Sequence, residues 1–84
     1  MSRARDVAET VIRALVDRPQ AVRVTESEGR DGAVIEVAVD SGDLGRVIGR
    51  QGRTATAIRT LVAATAEREG TRVSVEFRDE HGQR

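Results

Sequence analysis

Apolar residues recur at three- and four-residue intervals near the start of the chain, at Ala4, Val7, Ala8, Val11, Ile12, Leu15 and Val16. That spacing lines one face of an amphipathic helix. Ser2 stands where an N-cap belongs, and Pro19 is expected to end the helix, because the residue before a proline avoids the α region. The period then drops to two. Val22 and Val24 alternate with Arg23 and Thr25, which predicts a half-exposed strand over 22–28. Gly29-Arg30-Asp31-Gly32 supplies turn chemistry, and 33–39 reads as a second strand, so the two form a hairpin. Ile35, Val37 and Val39 fall on one face of that strand, and Val34, Glu36 and Ala38 on the other.

Asp40-Ser41-Gly42-Asp43 breaks the strand and offers capping oxygens for a short helix over 44–48. Residues 49–52 interrupt it. From Arg53 a longer helix carries Ala55, Ile58, Leu61, Val62 and Thr65 or Ala66 as its apolar stripe, and Gly70 sits in the C′ position that closes it. Val73, Val75 and Phe77 alternate with Arg72, Ser74, Glu76 and Arg78 as a third strand, and 79–84 is a polar tail expected to fray. The order α-β-β-α-α-β, without a repeat or linker, predicts an α+β fold in which helices cover one face of a three-stranded sheet.

A chain of 84 residues has room for one domain, placed at 1–78. Val and Ala dominate the apolar set and Phe77 is the single aromatic residue, so the core has little margin and self-association would help. The absence of cysteine excludes a disulfide framework and thiolate metal sites. No apolar run approaches the ~20 residues that span a bilayer, and Arg3 and Arg5 open the chain without an apolar signal core, so the cytosol is the expected compartment.

Net charge is zero, which at first argues against a nucleic-acid partner, but the distribution is polarised. Between residues 44 and 66 lie Arg46, Arg50, Arg53 and Arg59 and no acid, giving +4. The other ten arginines face all fourteen acids, giving −4. Every basic side chain is arginine, suited to bidentate phosphate contacts and stacking.

The stretch Gly45-Arg46-Val47-Ile48-Gly49-Arg50-Gln51-Gly52-Arg53 concentrates glycine and arginine immediately before the long helix. Its amides and the positive end of the helix dipole invite an anion. A phosphate loop of the Walker type requires a lysine, and the chain has none. The dinucleotide fingerprint requires G-x-G directly after a strand, whereas a short helix precedes these glycines. The remaining alternative is a loop between two helices that clamps a nucleic-acid backbone.

In Val47-Ile48-Gly49-Arg50-Gln51-Gly52-Arg53 and the apolar-striped helix after it, the chain resembles the KH domain, an RNA-binding module. A helix and a strand ahead of the core (1–28 before 32–78) match the type II, bacterial arrangement. Gly49-Arg50-Gln51-Gly52-Arg53-Thr54-Ala55 and Ala57-Ile58-Arg59-Thr60-Leu61 are similar to the single-domain KhpA family. The resemblance implies a groove for about four single-stranded nucleotides. Residues Gly49 to Gly52 would run along the phosphates, with Arg50 and Gln51 as the variable contact positions and Arg50 as the charged one. Arg46 and Arg53 flank the loop. Leu44, Val47 and Ile48, with the second strand near Val37 to Val39, would form the apolar floor, although Val47 and Ile48 read first as core anchors, because a short helix needs them, and only second as ligand-facing. Thr56 departs from the family, whose members often carry a basic residue there.

Without Tyr or Trp, aromatic base-stacking platforms are excluded, which predicts weak, poorly discriminating binding. Gly45 reads as a packing glycine and Arg59 as part of a solvated face. The sole histidine, His81, lies in the tail with no neighbouring ligand pattern, so neither a metal, a cofactor nor a nucleophile–base pair is expected, and the chain is not read as an enzyme. The expected partner is single-stranded RNA, the expected role an RNA chaperone or post-transcriptional regulator. The family resemblance adds homodimerisation, a larger KH- and R3H-containing partner, and a link to cell shape and wall synthesis. Val34 and Ala38 are the candidate dimer surface. A protein–protein module and a single-stranded DNA binder are the alternatives.

Overall fold

The computed structural model describes residues 2–82. Helix α1 (Arg3–Leu15) begins at Ser2, whose hydroxyl accepts from the Arg5 amide at 3.0 Å and donates to Glu26 at 2.9 Å. Its buried positions are Ala4, Ala8 and Ile12. On the outer face Glu9 pairs with Arg13 at 2.9 Å and with Arg5. The Arg13 hydrogen bond, aided by Arg5, holds the Glu9 carboxyl below its ordinary range.

The helix does not wait for Pro19. It ends at Leu15, Val16 is extended, and Pro19 instead opens a single 3₁₀ turn, Pro19–Ala21, where its missing N–H costs nothing. The cause is Asp43. The residue is 2% exposed, and its carboxylate accepts from the amides of Asp17 and Arg18, both at 3.1 Å. A buried carboxylate needs such donors, and the chain must leave the helix to supply them.

Strands β1 (Arg23–Gly29) and β2 (Gly32–Val39) form the expected antiparallel hairpin, with Val24 opposite Val37 and Gly29 opposite Gly32. Helices α2 (Leu44–Ile48) and α3 (Arg53–Arg68) then cross back to β3 (Val73–Asp79), which lies parallel to β2 with Val37 beside Phe77. A parallel neighbour requires such a crossover. The sheet order is β1-β2-β3, so β2 is central. Ile35, Val37, Val39, Val75 and Phe77 face Ala4, Ala8, Ile12, Ala55, Ile58, Val62 and Ala66 of the helices in one core. Alanine at the helix positions lets the helices approach the sheet closely. Beyond α3 the Gly70 amide donates to Glu67 and the Thr71 amide to Ala66, a Schellman closure. No helix among the described residues is long and apolar enough to cross a membrane.

Four further positions depart from the sequence pattern. Leu61 is not in the buried stripe but 47% exposed, because it lies about 100° round the helix from Val62. Ala38 is buried despite facing away from the helices, since its lateral neighbours are Arg23 and Arg78, whose long stems can cover it. Arg59 is no idle surface charge: its Nε donates to the Val75 carbonyl at 3.0 Å and its guanidinium stands 5.0 Å from the Phe77 ring centroid. The segment after residue 78 is also tied down as far as it is described. Asp79 is a buried member of β3, Glu80 accepts from the Ser41 amide at 3.1 Å, and Gly82 donates back to Asp79. Gln83 and Arg84, also placed in the tail by the sequence, lie outside the described residues.

Arg59 has a counterpart. On the opposite edge, Arg5 of α1 donates to the Val24 carbonyl of β1 through Nε at 3.2 Å and Nη2 at 2.9 Å. Each edge strand therefore has a carbonyl taken by an arginine from the helical layer, a device that blunts strand-to-strand addition.

Candidate nucleic-acid interface

The turn between α2 and α3 is built from three unusual backbone states, at Gly49, Gln51 and Gly52. Gly49 takes φ 77°, ψ 172°, and its amide donates to the Gly45 carbonyl at 2.8 Å, ending α2. A Cβ at Gly49 would lie 2.3 Å from the Thr54 hydroxyl, so only glycine fits. Gln51 (φ 56°, ψ 24°) and Gly52 (φ 73°, ψ 14°) are both left-handed. Gln51 is the one non-glycine residue with positive φ among those described, at an expense of about 1–2 kcal/mol. Nothing lies within 4 Å of a Cβ built on Gly52.

Part of the turn's donor capacity is engaged internally. Besides Gly49, the Gly52 amide donates to Gly49 at 3.1 Å and the Arg53 amide to Arg50. What stays open is the rest: no side chain caps the N-terminus of α3, and Arg50, Gln51 and Arg53 are exposed. An uncapped helix start presents amides and the positive dipole end outward.

The four arginines of the basic segment divide in two. Among the described residues, Arg50 makes no side-chain hydrogen bond or ion pair. Arg53 reaches only Gln51 Oε1, at 3.0 Å, within the turn. Arg46 is paired with Asp17 at 3.0 Å and lies 3.8 Å from Asp43, and Arg59 is folded onto β3. The usable charge is thus concentrated at Arg50 and Arg53.

The apolar floor is narrower than the sequence suggested. Val47 is completely buried and belongs to the core, not to the contact surface expected of it, because the five-residue α2 needs that anchor. Ile48 and Leu44 are half-buried, packed on the core yet partly open. Val37 and Val39 are buried, and β2 is paired on both sides, so neither its side chains nor its backbone edge is available there. The strand lying against α2 is β3.

Gly45 is not the packing glycine expected from the sequence. It is exposed and nothing lies within 4 Å of a Cβ there, so packing does not require it, although glycine inside a helix costs about 1 kcal/mol against alanine. Its bareness opens the α2 surface beside Leu44 and Ile48. The signal was present in the sequence as a glycine inside a helix, without a steric reason.

A family model described as the KhpA/KhpB KH domain matches residues 5–77. A protein of Caldanaerobacter subterraneus described as RNA-binding protein KhpA is 51% identical over 72 residues, covering 86% of this chain and 96% of the relative. Relatives with the same description in Aquifex aeolicus (47% identical over 77 residues, 92% and 98% covered) and Leifsonia xyli (51% over 70 residues, 83% and 90%) span nearly their whole lengths too. Among solved structures, Aquifex aeolicus Era bound to GDP.AlF4- superposes with a TM-score of 0.64 at 20% identity, over 90% of this chain but 29% of Era. Era in complex with MgGDPNP and nucleotides 1506–1542 of 16S ribosomal RNA gives 0.65 at 20% identity, with the same coverage. At that identity Era attests the fold alone. With nearly the whole domain matched and half its residues shared with such relatives, the chain belongs to the KhpA/KhpB KH-domain family.

Proposed function

We propose that the protein binds single-stranded RNA by laying the sugar-phosphate strand along Gly49, Arg50, Gln51, Gly52 and Arg53, with bases against Leu44, Gly45 and Ile48. The observation that carries this reading is the unpaired Arg50 on an open, side-chain-poor turn before an uncapped helix. The names of the relatives support RNA as the ligand. Two arginines at the turn of a neutral protein give little long-range steering, which fits weak, sequence-tolerant binding. Arg50→Ala should weaken binding by a similar factor on every sequence and flatten the logarithmic salt dependence by about 0.7. Gel shifts on unrelated RNAs at several salt concentrations test this. Loss confined to one sequence would make Arg50 a base reader instead. Matched DNA oligonucleotides in competition decide between RNA and single-stranded DNA.

Such binding suits a small RNA chaperone or post-transcriptional regulator, not an enzyme. One domain has a small footprint, so useful avidity calls for two copies or a second RNA-binding chain. A homodimer, and pairing with a larger KH/R3H protein linked to cell shape and wall synthesis, extend the proposal by family resemblance. The edge carbonyls taken by Arg5 and Arg59 and the buried Ala38 argue against the sheet as the dimer surface, whereas Leu61 and Leu15, 47% and 37% exposed, are the large apolar side chains left to water among the described residues. Sedimentation at micromolar concentration should show a dimer that Leu61→Glu dissociates; a monomer throughout removes the homodimer.

A further inference from the structure

We infer that Asp17 sets the RNA affinity of this domain by acting as a built-in competitor for Arg46. The inference rests on the RNA-binding reading above and concerns the arginine that reading leaves unused. Arg46 lies three residues before Gly49, about 4.5 Å along the α2 axis, so a strand seated on the turn passes within its reach. Its Nη2 donates to Asp17 Oδ2 at 3.0 Å, with Nε 3.8 Å from Asp43 Oδ1.

This is not a loose surface pair. The Asp17 backbone is pinned through its amide to the buried Asp43 carboxylate, and Asp43 immediately precedes α2. One buried residue therefore fixes the competitor and the helix bearing the arginine in a common frame. Asp43 is inaccessible, but the Asp17 side chain is 72% exposed and that of Arg46 53%. A phosphate seeking the two-pronged geometry that guanidinium favours displaces Asp17 and leaves Asp43 in place.

Local stability does not account for the acid. Asp17 follows the C-terminus of α1, where a negative charge opposes the helix dipole. Replacing it removes no buried group, and its amide still reaches Asp43.

The test is a cycle of Asp17→Asn, Arg46→Gln and the double variant, titrated against a short fluorescent polyuridine RNA by anisotropy, with Gly52→Asp alongside. Asp17→Asn should tighten binding by about two- to fivefold, the range an exposed pair allows, and steepen the salt dependence. In the Arg46→Gln background the same change should do nothing. Equal tightening with and without Arg46 would reduce Asp17 to a general surface charge and overturn the inference, as would no tightening at all. Thermal melts check that Asp17→Asn is no less stable than the parent. If the parent and Gly52→Asp bind RNA equally, the turn itself is not the site, and the underlying reading fails together with this one.

Discussion

Gly52→Asp is expected to lower affinity for single-stranded RNA by about ten- to a hundredfold while the domain stays folded. The carboxylate would stand where the phosphate is proposed to lie and compete for the same helix start. Losing one charge-assisted contact is worth about 1.5–3 kcal/mol, and every 1.4 kcal/mol is about tenfold. The fold should survive because nothing lies within 4 Å of a Cβ at this position. Left-handed backbone at φ 73° costs a non-glycine residue about 1–2 kcal/mol, least for Asn and Asp. An acid at a helix N-terminus returns about 0.3–1 kcal/mol. The melting temperature should therefore drop by no more than about 8 °C. Unchanged binding by a folded variant contradicts the reading. Gly49 cannot serve in its place, since a side chain there collides with Thr54 and confuses lost binding with lost structure.

Phe77→Ala should produce the largest loss of stability from a single substitution, about 3–5 kcal/mol, out of the 5–15 kcal/mol typical of a whole domain. Phe77 is 1% exposed and heads the fully buried side chains by volume, in a core otherwise made of aliphatics. Its removal leaves a cavity under α3 and also takes away the ring beneath Arg59, a contact worth about 0.5–1 kcal/mol. The urea midpoint should fall sharply with little change in slope, and Phe77→Leu, which fills most of the space, should lose much less. A change below about 1 kcal/mol for the alanine variant would mean that the core does not close on this ring.

The two predictions separate what the sequence made legible from what it did not. Periodicity reports which side of an element is dry, and so the helices, the strands and Phe77 were readable, as were the Ser2 cap and the Gly70 closure from their residue types, while Leu61, Ala38 and the end of α1 were not. Polar side chains that reach across the fold leave no such trace. Asp43 looked like a cap for its own helix, yet it holds the amides of Asp17 and Arg18. Arg59 looked like surface charge and Arg5 carried no structural signal, yet each takes a carbonyl on a sheet edge. Within the candidate site the glycine and arginine positions were visible, but their division of labour was not. Which arginines stay free depends on where Asp17, Asp43 and Val75 arrive in space, and a one-dimensional count of +4 cannot register that. The left-handed Gln51 was equally hidden, because glutamine carries no preference for that conformation.

The central claim is that the strand lies on the turn and not on the open sheet, and an NMR titration of the backbone amides with single-stranded RNA examines it most directly. The account predicts that the signals of Arg50, Gln51, Gly52, Arg53 and Thr54 move first and furthest, while those of Thr25, Glu36 and Glu76 on the uncovered sheet face stay in place. Shifts concentrated on the sheet, with the turn unmoved, would contradict it.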